Sequence, residues 1–191
     1  MKLSKFKKKH IFCIEGNWSH NLQNKASIDK ALEFLVPNAA IKFIRKDCST
    51  TDQFKNLLTT SLQKRYKQFG IIYLAFHGSP GVLHVEKRKK LSFDLIAEEL
   101  DGKAKDKIIH FGSCSTLNIN GWELRRFWKK TGALAISGYT TDIDFIQSTV
   151  LDILYFKMCQ EYQKMPLIER DMKRYYGKLM SELGFKMIYE K

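Results

Sequence analysis

No apolar run in this 191-residue chain approaches the ~18 consecutive residues that a bilayer-crossing helix needs. The basic start, MKLSKFKKKHIFCIEG, is not expected to act as an export signal. Its apolar segment is Ile11 to Ile14 before Glu15, against the roughly 7 to 15 residues such a signal carries. Cysteine is scarce and scattered: Cys13, Cys48, Cys114 and Cys159 form no CxxC pair and lack the close spacing of a disulfide-stapled secreted domain. Free thiols in a reducing cytoplasm are the expectation. The spacings among His77, His84, His110 and Cys114 match no usual zinc pattern. Gly78-Ser79-Pro80-Gly81 lacks the Gly-Lys-Ser/Thr ending of a phosphate loop. The reading therefore calls for no metal and no cofactor. No repeat or low-complexity linker divides the chain, and a chain of this length buries enough surface to form one domain without staples.

Charge of one sign is in excess. Thirty-three Lys and Arg against 20 Asp and Glu give a formal net charge of +13, which favours encounter with anionic partners. The basic residues are spread over most expected helices, however, and the dense clusters are limited to Lys5 to Lys9 and Lys87 to Lys90. A basic nucleic-acid-binding α/β domain is kept only as an alternative. Membrane is not among the expected partners.

Short apolar runs alternate with helical periodicity along the chain. Strands are expected at His10 to Ile14, Ile41 to Arg45, Ile71 to Phe76, Lys107 to Phe111 and Ala133 to Ser137, with Phe185 to Tyr189 as a last candidate. Between them the pattern predicts helices from Ser27 to about Val36, from Thr50 or Thr51 to about Gln68, and from Ser92 or Asp94 to Leu100. Further helices are expected over Gly121 to Lys130, Phe145 to Gln160 and Ile168 to Leu183. Val82 to Val85, with a basic tip at Glu86 to Lys90, reads as a small hairpin. Continuous apolar strands separated by helices imply an α/β sandwich around a mostly parallel sheet, with right-handed crossovers.

Two of these strands end alike. IIYLAFHGSPG stops at His77-Gly78, and IIHFGSCST stops at Gly112-Ser113-Cys114. Catalytic groups in open α/β sheets sit at the carboxyl ends of the strands, so neighbouring strands would bring His77 and Cys114 to one edge. A cysteine attacks as its thiolate, and an imidazole beside it can take the thiol proton and later protonate a leaving amine. Gly78 has no side chain to keep substrate away from its N–H. With the N–H of Cys114 it could receive the oxyanion of an attacked carbonyl. His110, inside its strand, and Cys13 read as packed core residues, and Cys48 is the best rival thiol.

An apolar strand ending in His-Gly, followed 37 residues later (114 − 77) by one ending in a small residue and Cys, resembles the caspase-like superfamily of cysteine peptidases, and in style its bacterial CHAT members. The resemblance spans roughly Lys9 to Asp152. It implies a caspase-like three-layer α/β sandwich of flavodoxin-like strand order, as a single domain over residues 1–191. It also implies a cysteine endopeptidase acting on a protein or peptide substrate, with Cys114 as nucleophile, His77 as base and acid, and Gly78 as oxyanion donor. Where caspases carry Gln two residues before the nucleophile this chain has Gly112, so specificity for aspartate is not implied. Relatives that cut after Lys or Arg use acids at the end of the first strand and in nearby loops. Glu15, Asp142 and Asp144 are the matching candidates here for binding a basic side chain. CHAT members often serve as effectors of prokaryotic defence or cell death, and activation would depend on a protein partner, self-cleavage or self-association. The alternative on the same scaffold is a catalytically inactive binding or regulatory module.

Overall fold

The computed structural model describes residues 8–19, 21, 23–86 and 89–190. Residues 5–7 and 87–88 of the two basic clusters lie outside the described residues. The central sheet contains β1 (Ile11–Glu15), β2 (Phe43–Asp47), β3 (Ile71–Ala75), β7 (Ile108–Gly112), β8 (Ala135–Tyr139) and β9 (Phe185–Tyr189). A smaller antiparallel sheet contains β4 (His77–Ser79), β5 (Val82–His84) and β6 (Lys90–Ser92). The helices are α1 (Asp29–Ala39), α2 (Thr51–Ser61), α3 (Phe93–Leu100), α4 (Gly121–Thr131), α5 (Phe145–Glu161) and α6 (Met165–Glu182).

The central order is β2-β1-β3-β7-β8-β9, parallel throughout except for the final pair. Counted within this sheet, the first five strands run 2-1-3-4-5, the flavodoxin-like order. Alternate residues of each strand face opposite layers. Phe12, Ile14, Ile72, Leu74, Ile109 and Phe111 pack with Phe54 and Leu58 of α2, Ile96 of α3 and Phe127 of α4. Ile11, Cys13, Ile71 and Tyr73 pack with Leu32 and Leu35 of α1, Leu151 and Tyr155 of α5, and Ile168 of α6. The molecule is thus a three-layer α/β sandwich, and its four inner strands, β1, β3, β7 and β8, are buried throughout, which explains their apolar runs, while the edge strands β2 and β9 are only partly buried. No helix among the described residues is long and apolar enough to cross a membrane.

Several boundaries differ from the sequence reading: the expected second and fifth strands lie later, at Phe43–Asp47 and Ala135–Tyr139, and α6 begins earlier, at Met165. Three further differences have a plain physical cause. The first strand runs one residue further than its apolar run, because Glu15 is buried beside Arg45 instead of opening a loop. Helix α1 continues through Pro37 to Ala39: the proline falls in its final turn, and left-handed Ala40 closes the helix by donating its N–H to Leu35 O. Helix α2 stops at Ser61 because Gln63 is extended, and a separate 3₁₀ turn spans Lys64–Tyr66. Thr50 and Ser92 cap α2 and α3 as the sequence suggests, accepting from Gln53 N and Leu95 N.

Phe54 of α2 is fully buried, with its ring 5.6 Å from that of Phe76, the residue before His77. Phe54→Ala should therefore cost about 3 to 5 kcal/mol of stability, read by urea unfolding. A loss below about 1 kcal/mol would mean that this layer does not support β3 as described.

Candidate active site

Sheet register sets the geometry of the site. Ala75 of β3 is the parallel partner of Gly112 of β7, and His77 and Cys114 each stand two residues beyond that pair. Both therefore leave the sheet at the same height, at its carboxyl edge. They line one cleft of about 220 Å³, His77 exposed and Cys114 half-buried. The walls come from the loop after β1, through Trp18, Asn24 and Ala26, and from the β8–α5 connection and the start of α5, through Ile143 and Phe145. The crevice lies where β1 leads outward to β2 while β3 leads the other way to β7, the position at which doubly wound sheets bind ligands.

Each half of the site is fixed by its own contacts. His77 Nε2 lies 2.9 Å from the carbonyl oxygen of Trp18, and the indole meets the imidazole edge to face at 5.4 Å between centroids. A carbonyl only accepts, so Nε2 carries the proton and donates, and in the neutral ring Nδ1 is left as the basic nitrogen. Cys114 follows β7 in a tight turn. There Ser115 adopts positive φ (51°), its N–H donates to Thr141 O (2.8 Å), and its hydroxyl donates to Asp142 Oδ1 (2.6 Å). The Cys114 thiol approaches Ile143 O at 3.9 Å.

Gly78 lies directly against this turn. A Cβ there would meet Thr116 Oγ1, and would come 2.8 Å from Cys114 O and 2.9 Å from Ser113 Cβ. Glycine is what allows the His77 strand to approach the Cys114 turn this closely. The hairpin is tied down from its far side by Gly81 N donating to Thr116 O at 3.0 Å.

The three acids singled out from sequence do not line this cleft. Glu15 is 1% exposed; its Oε1 accepts from Trp18 Nε1 (2.6 Å) and Ile28 N (2.9 Å), and its Oε2 accepts from Ser27 Oγ (2.9 Å) and pairs with Arg45. It holds the Trp18 loop against the sheet, and so acts on His77 at one remove. Asp142 holds the Ser115 hydroxyl, while Asp144 caps α5, accepting from Ile146 N (3.0 Å) and Gln147 N (2.9 Å). The acid that does line the cleft is Asp152. Sequence reasoning did not single it out, although Phe145, Ser148, Thr149 and Asp152 fall at i, i+3, i+4 and i+7 of one helix and all face the cleft. Trp18 was missed for a different cause: it lies in an irregular loop that no periodicity marks.

The other thiols are sealed. Burial pushes the Cys13 thiol well above its ordinary value, with the Glu15 charge adding to the rise. Burial likewise lifts Cys48 to about 11 and Cys159 to about 12. Among the described residues no group of three or more His, Cys, Asp or Glu converges as a metal site would.

Fold and site together define a mixed α/β protein whose sheet edge presents a thiol and an imidazole in one cleft. The chain belongs to a family of unknown function, DUF6642, whose model matches residues 8–189. No curated protein matches it.

Cys114 opens onto the cleft while the other three thiols are buried and shifted upward, so a dilute electrophile such as iodoacetamide should alkylate Cys114 at least about tenfold faster than Cys13, Cys48 or Cys159. Peptide mapping after partial labelling checks this, and equal labelling of Cys48 would remove Cys114 from its special position.

Proposed function

We propose that this protein is a cysteine endopeptidase that cleaves peptide bonds through a Cys114–His77 dyad, without cofactor. The observation that carries the reading is that the two side chains line one cleft while the Trp18 carbonyl holds the imidazole in the tautomer a base requires. The α/β sandwich and the hairpin that begins at His77-Gly78 are features the caspase-like resemblance implies, and they support the same reading.

In this mechanism His77 Nδ1 takes the Cys114 proton, and the thiolate attacks the carbonyl carbon of the scissile bond. The carbonyl electron pair moves to oxygen, where the N–H groups of Gly78 and Cys114 receive it. As the tetrahedral intermediate collapses, the C–N bond breaks, and His77 gives its proton to the departing amine, leaving a thioester on Cys114. Water, deprotonated by His77, then attacks the thioester, releasing the acid and restoring the thiol.

Cys114→Ala should abolish cleavage of a susceptible peptide while leaving the circular dichroism spectrum and melting profile close to wild type. His77→Ala should lower kcat by about 10²- to 10⁴-fold, the usual contribution of a positioned acid-base group. Cleavage that survives in Cys114→Ala would end the assignment.

A further inference from the structure

In a chain with a net charge of +13, the described residues lining the cleft include no lysine or arginine and a single acid, Asp152. Resting on the peptidase reading above, we infer that the cleft is a specificity pocket for a primary ammonium group. Asp152 is the residue that reads it, and the enzyme cleaves after lysine in preference to arginine.

Size comes first. About 220 Å³ is below the ~300 to 1,000 Å³ typical of pockets for drug-sized ligands, so one side chain fits rather than a larger molecule. Ala26, Ile28, Ile143 and Phe145 offer apolar surface to a methylene stem, with Asp152 and Tyr73 at the buried end, 2% and 3% exposed.

Asp152 also discriminates between cations. Its Oδ1 accepts from His110 Nε2 (2.7 Å) and from the Tyr139 hydroxyl (2.5 Å), and its Oδ2 accepts from the Tyr73 hydroxyl (2.6 Å). A carboxylate offers about four acceptor positions, so about one is left, on Oδ2 beside the cleft-lining Tyr73. A guanidinium binds a carboxylate best through two parallel N–H bonds, which this arrangement does not allow. An ammonium needs only one. Its remaining N–H groups meet Ser148 and Thr149, whose hydroxyl protons are committed to Asp144 O (2.7 Å) and Phe145 O (2.6 Å), so that their lone pairs are free to accept. Gly112 is part of the device: a Cβ there would come 2.5 Å from Tyr73 Cε2 and 2.7 Å from its hydroxyl oxygen, driving the ring off Asp152.

The test uses fluorogenic peptidyl amides identical except for lysine, arginine, norleucine or aspartate on the acyl side of the cleaved bond. The expected kcat/KM favours lysine over arginine by about tenfold and over uncharged norleucine by about a hundredfold, the range that one hydrogen bond to a charged group supplies. Asp152→Asn should bring the lysine-to-norleucine ratio close to one. Tyr73→Phe frees the second position on Oδ2 and should narrow the lysine-to-arginine ratio, which keeps the inference exposed if Asp152→Asn does not fold. A separate arm titrates Nα-acetyl-lysine amide and its arginine analogue into Cys114→Ala by NMR, and expects tighter binding of the lysine compound with shifts at the Ser148 and Thr149 amides. Turnover without a lysine preference overturns this inference and leaves the peptidase reading intact. Selective binding of the lysine amide with no turnover of any peptide by the wild type supports the pocket and removes the peptidase reading. Failure of both arms removes both.

Discussion

Parallel pairing of Ala75 with Gly112 is the constraint on which the site depends, because it makes two strands that are distant in sequence end at the same level. In a parallel pair the hydrogen bonds are evenly spaced, and a slip of one residue would turn every side chain to the other face. Burial on both faces forbids that slip: Ile72 and Leu74 belong to one layer, Ile71 and Tyr73 to the other, and none can change sides without leaving its cluster. The hydrophobic core therefore fixes the level at which the imidazole and the thiol emerge.

A second constraint comes from charge. Glu15 is buried at the end of β1 and is stabilised only because Arg45, on the adjacent strand, and three neutral donors surround it. An unpaired buried carboxylate would cost several kcal/mol, so the loop that carries Trp18 and Ile28 is drawn in to meet it. That loop in turn supplies the carbonyl that holds His77. Stability and site geometry are linked here: the contacts that satisfy a buried charge are the ones that set the orientation of the base.

Much of the architecture was legible because its signals are local and periodic. Thr50 and Ser92 announce their helices, and the runs ending at His77 and Cys114 announce two parallel strands and where they stop. What escaped the sequence depends on tertiary placement. Glu15, Asp142 and Asp144 are acids at strand ends or in loops and look available, yet hydrogen bonds to Trp18, to Ser115 and to the first turn of α5 occupy them. Asp152 lies mid-helix and looks like an ordinary helix residue until α5 is rotated against the sheet. The end of β1 was misjudged because a charged residue is normally a strand terminator, and the Arg45 neighbour that overrides the rule comes 30 residues later.

The most direct test of this account is a crystal structure of the wild-type protein soaked with a peptide aldehyde, a reagent that forms a thiohemiacetal with a nucleophilic cysteine. The account predicts a covalent bond from Cys114 Sγ to the aldehyde carbon, the new oxygen facing the N–H groups of Gly78 and Cys114, and His77 Nδ1 directed at the reaction centre. An aldehyde attached to another thiol, or none bound in the cleft at saturating concentration, would contradict it.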